Sequence, residues 1–393
     1  MNKTSKQMPT NDSMVDAVDV LVIGGGASGL MCASQAALRG LSVLLLEKGP
    51  KIGLKILVSG GGRCNFTNLY ADPEEQYLSD NPHFAISAMR RFQPWDFIGM
   101  VEDRGIEYHE KKLGQLFCDH SAKDIAGMLL EDCQTAGVDV RVNHEVVAVN
   151  ALDEQEKNGG GYRVSTAQAH FTARKVVLAS GGLSLPKIAS DLAYRVANEL
   201  HIPVIAPRPA LVPLTWNSVD KLRYADLSGI SVDAQVSCGD GSFRENILFT
   251  HRGLSGPAIL QVSSYWREGE TVEIDLLPEL DLAAWLLEER TTNPQQKIAN
   301  ALKRNLPNRL IETMTDVWFE DTKIGTASPT QLTELAGKIN NWHFKPGGSE
   351  GYRTAEVTLG GIDTREVSSK TFELNKAPGM YAIGEALDVT GWL

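Results

Sequence analysis

Cysteine is scarce in this sequence. Five occur in 393 residues, at positions 32, 64, 118, 133 and 238, scattered and odd in number. No two share CxxC spacing, which removes a zinc ribbon and a dithiol redox centre from consideration; a reducing cytoplasm suits such a chain best. Excess positive charge is also missing. The formal net charge is −11, which argues against broad contact with nucleic acid or anionic lipid, because phosphate binding relies on Lys and Arg to displace counterions. A local basic patch can still override that average. No apolar run approaches the roughly 18 residues of a membrane span. The segment 1–16 is polar, lacks the apolar core of a secretion signal and reads as a disordered tail. There is no internal repeat, no low-complexity tract and no cluster with metal-ligand spacing. The expected partner is a small-molecule substrate, not nucleic acid or a membrane.

What remains is ordinary globular composition, 42% hydrophobic and 22% charged, in a chain long enough for two or three domains. "DVLVIG" (Asp19 to Gly24) is a short apolar run of the kind buried in a parallel sheet. A helix packed by small residues follows from Ala27 to Arg39, with Gly40 as its stop. "SVLLLE" (Ser42 to Glu47) is a second buried strand, completing a βαβ unit. Further on, Asp124 to Cys133 is an amphipathic helix. "VDVRVNHEVVAV" reads as a strand pair turning at Asn143, "KNGGGYRVST" as a surface hairpin, and Ala173 to Gly182 as another buried strand. Asp191 to Leu200 has helical periodicity.

The character changes at "HIPVIAPRPALVPL", whose four prolines are not expected inside a regular sheet. A boundary near Ile202 follows. Short alternating segments up to Phe249 suggest a small antiparallel sheet or barrel, and Asp281 to Phe319 is mainly helical. Ser328, Pro329 and Gln331 fit the N-cap, first-turn and capping-box positions of one more helix. "TAEVTLGGI" and "GMYAIGEA" return to buried-strand composition, so the nucleotide-binding domain is expected to be discontinuous.

Gly24, Gly26 and Gly29 form GxGxxG directly after the first strand and at the start of a helix. The first glycine permits the turn, the second lets the backbone approach a pyrophosphate, and the third allows close strand–helix packing. The helix N-terminus adds free N–H groups and a favourable dipole. Glu47 ends the next strand 23 positions after Gly24, near the roughly 20 expected of a ribose-binding acid. An acid there disfavours a ligand carrying a 2′-phosphate.

A second glycine loop stands close behind, in "KILVSGGGRCNFTN". One phosphate group needs one such loop, but FAD is longer than one βαβ unit can hold. Ser59 to Gly62 would let backbone N–H groups approach the flavin half without side-chain obstruction.

Six stretches, "KILVSGGGRCNFTN", "LASGGLSLPK", "PALVPLT", "FTHRGLSGPAIL", "EVTLGGI" and "GMYAIGEALDVTG", occur in an order similar to the BaiN-like flavoproteins. These are bacterial NAD(P)/FAD-dependent oxidoreductases, also called the aminoacetone oxidase family. The resemblance runs from about Val18 to Leu393. It implies an α/β fold: a FAD-binding Rossmann-type domain of three-layer ββα architecture (17–202 and 351–393), interrupted by a small β-barrel (203–250 and 341–350) and a mainly helical insert (251–340). It also implies roles. Gly24, Gly26, Ala27, Ser28 and Gly29 would face the pyrophosphate, Glu47 and Lys48 the adenosine ribose, and Lys55 the phosphates. Gly61, Gly62, Arg63, Cys64 and Asn65 would line the flavin, and Val146 would meet adenine through its backbone. Ala179, Gly181 and Gly360 join the cofactor set from their motifs. Gly384 and Glu385 would lie beside the phosphate and ribityl chain.

The chain departs from the family at two points. After "SLPK" it reads "IASDLAYR" where glycines and threonine are usual. It also stops at "GEALDVTGWL", where similar proteins continue with a glycine pair, an asparagine and a helix beneath the flavin. A chain ending at Leu393 is therefore expected to fold but to hold FAD weakly.

Flavin performs the redox step, and the protein supplies position and electrostatics. A cation near N1 and O2 favours the reduced ring, and Arg63 is the candidate for it. Its bland alternative is a surface salt bridge. His251, in the glycine-bordered loop of "FTHRGLSGP", is the candidate proton relay, against a structural hydrogen-bonder. Cys64 reads as a packing residue. Gly181 and Gly182 lack a second GxGxxG, so NAD(P)H, if it is the reductant, visits transiently. The function expected is hydride transfer between an organic substrate and FAD. The alternatives are a non-catalytic or tRNA-modifying flavoprotein and an NAD-dependent dehydrogenase.

Overall fold

The computed structural model describes residues 17–152, 161–315 and 317–393. The expected tail and the tip of the "KNGGGYRVST" hairpin lie outside the described residues. Two compact units divide the chain. Unit 1 runs to Pro207 and again from Leu359 to Gly391; unit 2 holds Arg208–Thr358 and Trp392–Leu393.

In unit 1 the strand β1 (Val18–Ile23), the helix α1 (Ala27–Ala37) and the strand β2 (Val43–Leu46) make the βαβ unit. Five strands run parallel, in the order Asp139–Arg141, β2, β1, His170–Leu178, Met380–Ala382. The N-terminal half of His170–Leu178 instead pairs antiparallel with Tyr162–Thr166, which pairs in turn with Val146–Ala151. Leu21, Ile23, Leu44 and Leu46 point into one core and Val20, Val22, Val43 and Leu45 into another. Burial on both faces is why these strands read as unbroken apolar runs and not as alternation. One core takes Leu30 and Ala33 of α1 with Ile125 and Leu129 of the helix Ala122–Thr135. The other takes Ala193, Val196 and Ala197 of the helix Leu192–Glu199.

Two expectations from sequence are corrected. Asp139–Arg141 and Val146–Ala151 do flank a turn at Asn143 (φ +56°), but they are not partners: the first joins β2 and the second joins Tyr162–Thr166. "VIAPRPA" is a strand despite its prolines. Among the described residues, Val204–Ala210 pairs only with Val357–Ile362 in a two-stranded ribbon. A strand with one partner has one edge free, where a missing N–H costs nothing.

Unit 2 is built on seven antiparallel strands in the order Trp342–Phe344, Val272–Asp275, Ser231–Cys238, Gly241–Phe249, Gly253–Ser255, Leu214–Thr215, Gly348–Ser349. Alternate residues of Ser231–Cys238 and Gly241–Phe249 are buried, the period-two pattern of a sheet covered on one face. The helices Pro257–Ser263, Leu282–Thr292 and Pro329–Asn340 supply Ile259, Leu286, Leu332 and Ile339 to the same core. Strands and helices of this unit thus share one hydrophobic cluster. The last of these helices carries the expected capping box: Gln331 N donates to Ser328 Oγ at 3.2 Å and Ser328 N to Gln331 Oε1 at 2.8 Å.

Candidate functional site

The turn between β1 and α1 separates glycines that the protein needs from one that it does not. A Cβ on Gly24 (φ +116°) would fall 2.3 Å from the Ala179 carbonyl oxygen, and one on Gly29 would fall 1.9 Å from the Gly24 oxygen. Both glycines let β1, α1 and the strand ending at Leu178 close on one another. Gly26 has an ordinary φ of −83°, and a Cβ there would meet nothing within 4 Å. No side chain caps the helix that starts at Ala27, and no acidic residue stands in its first turn. Space and free N–H groups therefore coincide at the positive end of a helix, the combination that receives a phosphate.

Glu47 closes the same turn. Its Oε2 accepts from Gly25 N at 2.8 Å and its Oε1 from Gly49 N at 2.6 Å, and each carboxylate oxygen keeps a lone pair free for hydroxyl donors. Beside it lies a cavity of about 350 Å³, lined among others by Gly24, Glu47, Lys48, His144, Val146, Ser180 and Arg195. The departing segment 188–195 supplies one wall of it. Lys48 Nζ is engaged by the Ala189 carbonyl.

Lys55, Ser184 and Glu385 form a knot at the other side of the turn. Lys55 Nζ lies 2.5 Å from both Ser184 Oγ and Glu385 Oε2. A Cβ on Gly181 (φ +74°) would lie 3.9 Å from Glu385 Oε2, and Ser28 Oγ packs so closely on Gly384 (φ +68°) that a Cβ there would be 2.5 Å away. Residues from four distant stretches of sequence thus meet here.

In the second loop Gly60 is held by its neighbours, since a Cβ would meet the Phe117 ring at 2.7 Å. Gly61 and Gly62 (φ +66° and +88°) face open space. Arg63 is exposed. Cys64 is buried, and burial pushes its thiol up from the usual value; Cys118 is pushed up to about 12 by burial first and then by Cys64 beside it. Thiolate chemistry is thereby disfavoured at both. Among the described residues neither Asn65 Oδ1 nor Ser180 Oγ, both buried, has a hydrogen-bond partner. Two orphaned polar atoms, one just after the second glycine loop and one on the strand end beside Gly24, are what a bound polar ligand would satisfy. With the open Gly26, Gly61 and Gly62 they fit a dinucleotide as long as FAD.

Not every expected residue joins this group. Gly360 (φ +82°) lies in the two-stranded ribbon, where a Cβ would meet the Ala206 oxygen at 2.7 Å, so its neighbouring strand already requires glycine. His251 belongs to unit 2, exposed in the turn between Gly241–Phe249 and Gly253–Ser255. Ser180 and Ser184 escaped the sequence reading, although both stand in "LASGGLSLPK"; their roles depend on contacts with residues far away in sequence.

A Rossmann sheet with this glycine turn and a second open glycine loop defines an oxidoreductase of the FAD-binding Rossmann class. Residues 18–393 match the HI0933-like protein Rossmann domain, and the chain belongs to that family. It is 46% identical over 382 residues to the ribosomal RNA dihydrouridine synthase of Escherichia coli K12, covering 96% of this chain and 94% of that protein. The protein of the same name from Haemophilus influenzae Rd is likewise 46% identical, with 95% and 93% covered. A 3-dehydro-bile acid delta(4,6)-reductase from Clostridium scindens is 28% identical, with 94% and 93% covered. The crystal structure of the 3-ketosteroid-delta4-(5alpha)-dehydrogenase from Rhodococcus jostii RHA1 shares the fold, with a TM-score of 0.50 at 15% identity over 96% of this chain and 92% of that one. Among the described residues no helix is long and apolar enough to cross a membrane.

Proposed function

We propose that this protein is an FAD-dependent reductase that saturates the C5–C6 double bond of a uridine in ribosomal RNA. The observation that carries the substrate is the 46% identity, over 96% of this chain, to a ribosomal RNA dihydrouridine synthase. Gly24, Gly26, Ala27, Ser28 and Gly29 would hold the pyrophosphate. Glu47 would accept from the adenosine ribose, and the cavity beside Val146 would take adenine. Lys55, Gly384 and Glu385 would border the phosphates and ribityl chain. Gly61, Gly62 and Asn65 would line the flavin, with the Asn65 oxygen accepting from its N–H edge. When bound and reduced, FAD supplies the hydride. Arg63 would favour that reduced state by placing positive charge near the ring. NAD(P)H would serve as a transient reductant. For His251 as proton donor, the support is its sequence motif alone.

A second reading comes from the bile acid reductase at 28% identity. Both named substrates offer a carbon–carbon double bond conjugated to a carbonyl, so hydride addition at one carbon and protonation at its neighbour would suit either. The test begins with the released chromophore, expected to be FAD, and with anaerobic bleaching by NADH and NADPH. The reduced protein is then given ribosomal RNA transcribed in vitro, and the digested nucleosides are weighed. Dihydrouridine is the expected product. Its absence, with a conjugated steroid enone reduced in its place, would transfer the assignment to the second reading.

A further inference from the structure

We propose that one end of unit 2 is a docking surface for the ribose–phosphate backbone of RNA, an inference that rests on the RNA reading above. Leu214–Thr215 pairs with both Gly253–Ser255 and Gly348–Ser349, so the turns that leave these strands emerge side by side. Trp216 N donates to the Arg252 carbonyl at 2.8 Å, and Asn217 Nδ2 to the Lys345 carbonyl at 2.9 Å. The helix Ser218–Tyr224 follows directly, capped by Asn217 Oδ1, which accepts from Val219 N and Asp220 N.

This cluster gathers five exposed cations: Lys221, Arg223, Arg252, Lys345 and Arg353. Two carboxylates lie beneath them. Glu350, with only 11% of its side chain exposed, is 3.4 Å from Arg252 and 3.6 Å from Arg353. Asp220, 16% exposed, is 3.9 Å from Arg223. The three guanidinium side chains keep 46–64% of their surface in water, so the inner acids orient them and the outer face stays positive. In a chain of net charge −11, such a face is not background. It suits an anionic polymer whose counterions it can displace.

The second observation is apolar. Leu222 is 91% exposed, between Lys221 and Arg223, and Val219 one turn earlier is 52% exposed. A merely solvated charged helix gains nothing from a bare leucine. Against RNA, the leucine would lie on a base or ribose face while its neighbours hold the flanking phosphates. The apolar area is too small to anchor the protein on lipid.

The test uses the full-length, FAD-loaded protein and ribosomal RNA transcribed in vitro, with binding measured across a salt series. Lys221→Ala with Arg223→Ala is expected to weaken binding roughly tenfold at physiological salt and to make the salt slope shallower by about one per cation removed. Leu222→Ala is expected to weaken binding with the slope unchanged. Flavin content and anaerobic reduction should match the unaltered protein in both variants, because none of the three residues touches the glycine loops. Variants that bind and modify RNA like the unaltered protein would overturn the surface and leave the RNA reading standing. An unaltered protein that neither binds RNA nor forms dihydrouridine would overturn both. Binding to phosphatidylglycerol vesicles but not to RNA would reassign the face to a membrane.

Discussion

Gly26 and Gly29 obey one motif for different reasons, and substitution separates them. A Cβ at position 26 meets no atom beyond its chain neighbours within 4 Å, so Gly26→Val should cost the fold only about 1 kcal/mol, as for loss of a favoured cap residue, while leaving the protein without FAD. Gly29→Ala forces a Cβ to 1.9 Å from a carbonyl oxygen and should destabilise the apoprotein by about 1–3 kcal/mol or more, as overpacking does. Flavin per chain and the apoprotein melting temperature distinguish the two; a Gly26→Val protein that retains full flavin would contradict the phosphate cradle. Asp388 offers a pH test. It is buried, and desolvation first, with Asp80 and Asp363 close by, raises its carboxyl above the usual value, although Asp80 N donates to it at 2.8 Å. A raised acid favours folding most when protonated, so its contribution is present below the unfolded value and lost as pH rises through the folded one. Asp388→Asn keeps an acceptor and sheds the charge. It should raise the urea midpoint at pH 7 and lose that advantage below about pH 4, near the model-peptide value for Asp. An equal gain at both pH values would exclude ionisation as the cause.

At the level of elements, Glu47 does more than its place at the end of β2 suggests. Its two oxygens join the β1–α1 turn, through Gly25 N, to the loop after β2, through Gly49 N. Charged hydrogen bonds are worth about 1.5–3 kcal/mol each, so Glu47→Ala should release both loops and the ribose contact together. The expected result is FAD affinity lower by about ten- to a hundredfold, with Glu47→Gln affected less. Calorimetry of FAD binding to the apoprotein measures this directly, and an unchanged dissociation constant in Glu47→Ala would remove the carboxylate from the site. The ribbon of Val204–Ala210 teaches a related point. Whether a proline is tolerated depends on which edge its missing N–H faces, and that edge exists only once the partner strand is known.

At the level of the molecule, unit 2 has a core of its own. Trp216, Tyr224, Phe249, Trp342 and Phe344 pack at ring distances of 5.3–6.1 Å, and all but one of the side chains in and against this cluster lie between Leu214 and Phe344. The exception is Trp392, whose ring meets Phe243 at 4.8 Å. A fragment spanning 208–358 should therefore fold alone, weakened by about 0.5–1.5 kcal/mol plus lost burial for the missing aromatic pair. Near-ultraviolet circular dichroism with a single cooperative melt is the expected signature. A fragment without fixed tertiary signal would show that the core depends on the rest of the chain.

Local pattern by itself determined the βαβ unit, its glycine turn, the acid that follows, the second glycine loop and the capping box at Ser328. Each depends on residues a few positions apart, where chain geometry leaves little choice. Which strands pair, why Gly24 and Gly29 are fixed by neighbouring backbone while Gly26 faces open space, and the meeting of Lys55, Ser184 and Glu385 were decided only by tertiary structure. So was the gathering of Lys221, Arg223, Arg252, Lys345 and Arg353 at one end of unit 2. They come from three segments between Lys221 and Arg353, brought together by strand pairing, and contacts between distant segments leave no periodic trace in one sequence.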